Sequence, residues 1–331
     1  MDHTSLVDIA NAMVQKGKGI LAADESTPTC KKRFDSINVE STEENRNKYR
    51  DMLFTSDGIE NYISGVILFD ETVRQSTVEG SVPFPDYLTK LGILPGIKVD
   101  KGAKQLANTE DEKITEGLDG LRDRLKEYYE LGARFTKWRA VITIGESMPT
   151  AYCMSTNAHA LARYAALCQE QGLVPIVEPE ILMDGTHTIE ESYQLTTETL
   201  YNVFYELVSQ GVELEGMVLK PNMVLSGYDC SYQADIEEVA EKTINCLSAN
   251  VPTEVPGIAF LSGGQSDDLA TLHLNEMNKY ETDWNLTFSY GRALQQPALK
   301  AWHGKKENTT FAQEEFIKRA EANSLATLAS L

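Results

Sequence analysis

The chain has 331 residues, of which 42% are hydrophobic and 24% charged, and its formal charge is −20, from fifty acidic and thirty basic residues. That is ordinary globular composition, without the roughly 18 consecutive apolar residues a membrane span needs. So acidic a surface repels a duplex or an anionic bilayer, so neither nucleic acid nor membrane is expected as a partner. An anionic small molecule is admitted only where basic residues gather locally. The opening MDHTSLVDIANAMVQKGKG has no basic stretch leading into an apolar core, and a cytoplasmic location is expected. Cys30, Cys153, Cys168, Cys230 and Cys246 are odd in number and scattered, which suits isolated thiols rather than a disulfide framework. His3, His159, His187, His273 and His303 have no metal-ligand spacing, so no metal is expected.

Eight short runs rich in Val, Ile, Leu and Phe recur in chain order. They are GILAAD (19–24), YISGVILF (62–69), GIKVD (96–100), RFTKWRAVI (134–142), LVPIVEPE (173–180), GMVLKPN (216–222), GIAFLSGG (257–264) and LTFSYGRA (286–293). Most are apolar on both faces, as strands buried in a parallel sheet are. Helical patterns lie between them. Ser41-Thr42-Glu43-Glu44 has capping-box spacing. Residues 117–131, 187–210 and 310–328 are amphipathic, and the last predicts an apolar stripe of Phe311, Phe316, Ile317, Ala320 and Leu328. No linker, repeat or low-complexity tract divides the chain. Strand–helix alternation repeated eight times predicts an α/β protein: a (β/α)8 barrel of the TIM type, as one domain over 1–331, with an N-terminal and a C-terminal helix outside the barrel. A doubly wound sheet is the alternative, but no GxGxxG or GxxxxGK[ST] motif accompanies any strand.

The active site of such a barrel lies at the C-terminal ends of its strands. Those ends carry Asp24, Lys98, Lys137 with Arg139, Glu178 with Glu180, Lys220, Ser262-Gly263-Gly264, and Ser289-Tyr290-Gly291-Arg292. Any one of these charges can be a rim salt bridge. Together they are of both signs and converge on one mouth, where burial is costly unless they pair. Lys220 follows an apolar run, so its amine should end in a confined, partly dry pocket. Desolvation and a second ammonium, which Lys137 can supply, favour a neutral amine. A neutral lysine beside a carboxylate that shuttles protons is what Schiff-base formation with a ketone requires, and Glu178 is placed for that duty. Its bland alternative is a simple pair with Lys137. SGG after the seventh run and GR after the eighth supply backbone N–H groups, a hydroxyl and a guanidinium, the parts of a phosphate site.

The segments GILAADES, GIKVDKG, FTKWR, PIVEPEI, VLKPNM, FLSGGQS and TFSYGRALQ, in this order, resemble the class I (Schiff-base) fructose-1,6-bisphosphate aldolases, over about residues 17–323. The resemblance implies reversible cleavage of fructose 1,6-bisphosphate to dihydroxyacetone phosphate and glyceraldehyde 3-phosphate in glycolysis and gluconeogenesis, without metal or other cofactor. It implies that Lys220 forms the Schiff base, Glu178 donates and accepts its protons, and Asp24 takes the C4 hydroxyl proton. Lys137 and Glu180, with Arg139 nearby, would tune the charge around the imine. Ser262, Gly263, Ser289, Gly291 and Arg292 would hold the C1 phosphate, with Arg33 closing over it. Lys98 and Ser26 would meet the C6 phosphate. A homotetramer is implied in the same way. Two departures stand out. TPTCKKR follows ADES, so Thr29 replaces a serine hydroxyl, and the sequence ends NSLATLASL at Leu331, without the tyrosine-ended tail that assists proton exchange in animal members. Another group, or slower exchange, is implied for that step. The competing readings are a sugar-phosphate binding scaffold without turnover, whose signature would be a lost lysine or carboxylate, and an aldolase preferring fructose 1-phosphate or sedoheptulose 1,7-bisphosphate.

Overall fold

The computed structural model describes residues 5–331; His3 lies outside them. Eight parallel strands close into a barrel: β1 (Gly19–Ala22), β2 (Ile63–Leu68), β3 (Leu94–Lys98), β4 (Phe135–Ile142), β5 (Val174–Ile181), β6 (Val218–Leu219), β7 (Gly257–Phe260) and β8 (Asn285–Tyr290). Each pairs with its neighbours in sequence, and β8 returns to β1 through Ile20 opposite Ser289. All eight lie within the runs read from the sequence or within two residues of them. The sixth is short because Pro221 has no N–H to give the ladder. A two-stranded hairpin, Ala103–Gln105 with Lys113–Thr115, follows β3 and was not expected.

Side chains on a strand alternate between faces, and here the inward face changes character along its length. Ile20 and Ala22 on β1, Phe135 on β4, Val174 and Ile176 on β5, and Val218 on β6 form one apolar cluster inside the barrel. Two-residue steps from these positions reach Asp24, Lys137 and Arg139, Glu178 and Glu180, and Lys220. The apolar floor and the charged mouth are therefore successive layers of one inward face. Gly96 and Gly65 make room for Phe135: a Cβ on Gly96 would lie 2.2 Å from its ring. The outward faces, with Trp138, Val177, Leu219 and Phe260, pack against the helices in the larger core.

The N-terminal helix Leu6–Met13 closes the floor. Ile9, Ala10 and Met13 belong to the interior cluster, and Ser64 donates to the Met13 carbonyl at 2.6 Å. It thus stops the barrel's lower end rather than joining the outer ring. The C-terminal helix Thr309–Ala326 buries Phe316 and Ala320, with Ile317 packed on the core. The predicted stripe is narrower than expected: Phe311 is 55% and Leu328 48% exposed, at the two ends of the segment. The capping box expected at 41–44 is also absent. Thr42 caps the helix Glu43–Phe54 by accepting from Asn45 N–H at 3.1 Å, so Glu44 falls one position short of a reciprocal bond. The helix Ile189–Ser209 does carry a capping box, from Thr188 and Glu191.

Candidate active site

A cavity of about 300 Å³ opens at the C-terminal ends of the strands. Register sets its floor plan: Lys98 lies opposite Lys137 across β3 and β4, and Arg139 opposite Glu178 across β4 and β5. Lys137 Nζ is 2.7 Å from Asp24 Oδ2 and 3.4 Å from Glu178 Oε2, and Lys220 Nζ is 3.2 Å from Glu178 Oε1. Two lysine side chains and two carboxylates thus form a continuous line, Asp24–Lys137–Glu178–Lys220. Lys137, Glu178 and Lys220 are all buried. Glu178 therefore meets both lysines, which is more than the simple Lys137 pair. Lys220 is fixed by its own N–H, which donates to the Val177 carbonyl at 2.8 Å.

Burial works against charge at each of these groups, and their neighbours outweigh it. Burial raises Asp24, but Lys137 and Lys220 hold its carboxyl far below the ordinary carboxylate range. Burial likewise raises Glu178, while Lys220 and Lys137 bring it below its ordinary value. For Lys137, burial favours the neutral amine, but Asp24 and Glu178 keep it an ammonium well above the usual range. Arg139 forms an ion pair with Glu180, Arg33 pairs with Glu25, and Lys98 lies 3.4 Å from Asp100. On the β7–β8 side, Ser289 Oγ is buried without a hydrogen-bond partner, and so is Arg292 Nε.

Fourteen of the residues singled out from sequence as candidate site residues line this cavity: Asp24, Ser26, Arg33, Lys98, Lys137, Arg139, Glu178, Glu180, Lys220, Ser262, Gly263, Ser289, Gly291 and Arg292. Gly264 does not. It faces a second cavity behind the loop, where a Cβ would coincide with the Tyr228 hydroxyl. The structure adds Glu25 and Asp100, two buried carboxylates that pair with cavity cations. Asp100 was legible as the inward position two residues beyond Lys98. Among the described residues, no group of three or more His, Cys, Asp or Glu is placed to hold a metal ion.

Lysines and carboxylates within ion-pair distance of one another at the mouth of a (β/α)8 barrel, with a guanidinium and unpartnered hydroxyl beside them, define an enzyme of lysine–carboxylate acid–base chemistry on an anionic substrate. The family model described as "Fructose-bisphosphate aldolase class-I" matches residues 5–331. The chain is 57% identical over 330 residues to a probable fructose-bisphosphate aldolase class 1 of Xanthomonas axonopodis pv. citri, covering 99% of this chain and 98% of that one. It is 55% identical to the cytosolic fructose-bisphosphate aldolase 4 of Arabidopsis thaliana, over 97% of this chain and 82% of that one. A solved fructose-bisphosphate aldolase of Plasmodium falciparum, crystallised with TRAP and a small-molecule inhibitor, superposes with a TM-score of 0.96. It shares 52% identity and covers 98% of this chain and 94% of its own. The chain belongs to the class-I fructose-bisphosphate aldolase family, the metal-independent lyases of glycolysis that cleave fructose bisphosphate.

Proposed function

We propose that cleavage proceeds through an imine on Lys220. The Lys220 amine attacks the C2 ketone of fructose 1,6-bisphosphate, and Glu178, 3.2 Å from that amine, supplies and removes the protons by which the carbinolamine loses water. The resulting iminium is an electron sink. Asp24 takes the C4 hydroxyl proton, the C3–C4 bond breaks, and its electron pair moves into an enamine as glyceraldehyde 3-phosphate departs. Protonation at C3 and hydrolysis then free dihydroxyacetone phosphate. Lys137, bonded to Asp24 and facing Glu178, keeps both carboxylates ionised and ready to accept. Glu180 holds Arg139 beside them. Ser262, Gly263, Ser289, Gly291 and Arg292 take the C1 phosphate with Arg33, and Lys98 and Ser26 the C6 phosphate. The unpartnered Ser289 hydroxyl supports this, because a buried donor without an acceptor is costly unless a ligand fills it.

The observation that carries the reading is the unbroken line Asp24–Lys137–Glu178–Lys220, which links the proposed nucleophile to a proton shuttle and to a second base. Borohydride reduction with dihydroxyacetone phosphate, followed by peptide mass spectrometry, tests it. A stable adduct on Lys220 is the expected outcome, together with loss of more than about a thousandfold of cleavage rate in Lys220→Met, or about 4 kcal/mol. An adduct on another lysine, or a Lys220→Met enzyme within that margin, overturns the assignment. The same reading places the enzyme in the cytoplasm as a homotetramer whose chain works as one barrel domain. The names of the plant relatives, cytosolic and cytoplasmic, support the location.

A further inference from the structure

Behind the loop that faces the cavity from β7, two buried polar side chains meet without touching the cavity. Gln265 and His273 are each 4% exposed. The main-chain carbonyl of Gln265 accepts from Arg292 Nη2, and the Gln265 side-chain Nε2 donates to the Ser262 carbonyl at 3.1 Å. One residue therefore holds both Ser262 and Arg292. With Nε2 committed to Ser262, and to Met223 Sδ at 3.5 Å, the amide oxygen is left facing His273 Nδ1 at 2.6 Å. An amide oxygen only accepts, so the imidazole carries its proton on Nδ1. Burial lowers the His273 pKa to about 4, so the ring is neutral at physiological pH and donates as an uncharged group.

We propose that Gln265 and His273 are positioning residues for phosphate recognition: the imidazole N–H fixes the Gln265 side-chain amide, which ties Gln265 to the Ser262 carbonyl, and the Gln265 main-chain carbonyl so placed holds the Arg292 guanidinium at the separation from Ser262 that a phosphate needs. This rests on the reading of Ser262 and Arg292 as the C1-phosphate site. Neither residue reaches the substrate, so they act on binding rather than on the bond-breaking step. His273 borders the second cavity, of about 610 Å³, so truncating its ring opens toward existing space rather than a sealed void.

Three variants test the proposal. His273→Leu removes the N–H, His273→Asn restores a donor, and Arg292→Ala deletes the guanidinium. In His273→Leu, the KM for fructose 1,6-bisphosphate and the Ki of inorganic phosphate rise together by about tenfold, the scale of a lost orienting hydrogen bond. The kcat, and borohydride trapping by unphosphorylated dihydroxyacetone, stay within about twofold of wild type, and His273→Asn recovers most of the loss. Should His273→Leu fail to fold, Gln265→Met severs the same link and is expected to show the same split. Unchanged phosphate affinity in the folded variant, or equal losses in Leu and Asn, overturns the brace. If Arg292→Ala weakens phosphate and the His273 and Gln265 variants do not, only the brace falls. If Arg292→Ala leaves phosphate affinity intact, the C1-phosphate reading falls and the brace with it.

Discussion

Asp24, Lys137 and Glu178 set one another's protonation, and the signs fix a pH window. Both carboxyls are depressed by lysines against the pull of burial, so the stability they contribute is fully present above the unfolded value of about 4 and is lost as pH falls through the folded values. Lys137 is raised, so its contribution holds below about 10.4 and goes only as pH climbs beyond it. Between about pH 5 and 9 the charges are constant. Asp24→Asn leaves Lys137 one partner short in a buried site, and its expected cost is about 3 kcal/mol. Denaturant unfolding should show that gap flat from about pH 5 to 9 and narrowing below about 4. The same variant keeps Lys220 and Glu178, so it should still trap dihydroxyacetone phosphate with borohydride while losing at least about a hundredfold in cleavage. A stability gap that widens in acid, or a loss of trapping along with cleavage, would contradict the separate roles given to Asp24 and Glu178.

At the level of elements, the short β6 shows how side chains finish a sheet that the backbone cannot. Pro221 ends the ladder one residue after Lys220, and Asn222 takes over: its Oδ1 accepts the buried Ile181 N–H of β5 at 3.0 Å, while its Nδ2 donates to Thr196 Oγ1 at 3.2 Å. Asn222→Ala orphans that N–H, with an expected cost of about 1–3 kcal/mol. The variant should melt a few degrees lower and lose kcat, because the strap beside Lys220 slackens. A melting temperature equal to wild type would show that the Ile181 N–H finds another acceptor. The case also marks what sequence made legible. The strands could be read because each is a contiguous apolar run, and the mouth because charges step in twos from apolar positions on the same strand. Lys137 and Glu178 could be placed that way before any contact was known. The supporting polar groups could not. Tyr49 bonds Gln295, which in turn bonds the Ala22 carbonyl, across hundreds of residues of chain. Gln265, His273 and Asn222 are single polar residues whose partners only folding supplies. The hairpin after β3 escaped for another reason: its strands are three residues each, the first exposed and the second only partly buried, so no hydrophobic alternation announces them.

Across the whole molecule, the cavity and the exterior carry opposite electrostatics. Six basic and five acidic side chains line the cavity of a chain with a formal charge of −20, so the negative surplus lies elsewhere, largely on helices that face solvent. On one of these, Ile189–Ser209, a different feature interrupts the acid: Tyr201, Tyr205 and Val208, spaced four and three apart, share a face and are 65%, 64% and 62% exposed. A face of two tyrosines and a valine is enriched in the residues that form interface cores. Burying it between copies of this chain would repay the proposed tetramer, while the charge works against assembly by repulsion that salt screens over about 8 Å at physiological ionic strength. Two consequences follow, and they separate the apolar from the ionic contribution. Sedimentation at physiological salt should show the tetramer, and lowering the salt to about 0.01 M, where screening reaches about 30 Å, should shift it toward smaller species. Tyr205→Glu adds charge and removes contact at the centre of the face, so it should dissociate the assembly at every salt concentration while leaving the melting behaviour of the isolated barrel near that of the wild-type subunit. A tetramer indifferent to Tyr205→Glu would place the interface on another face of the barrel, and one indifferent to salt would show that the acidic surface lies away from the contacts.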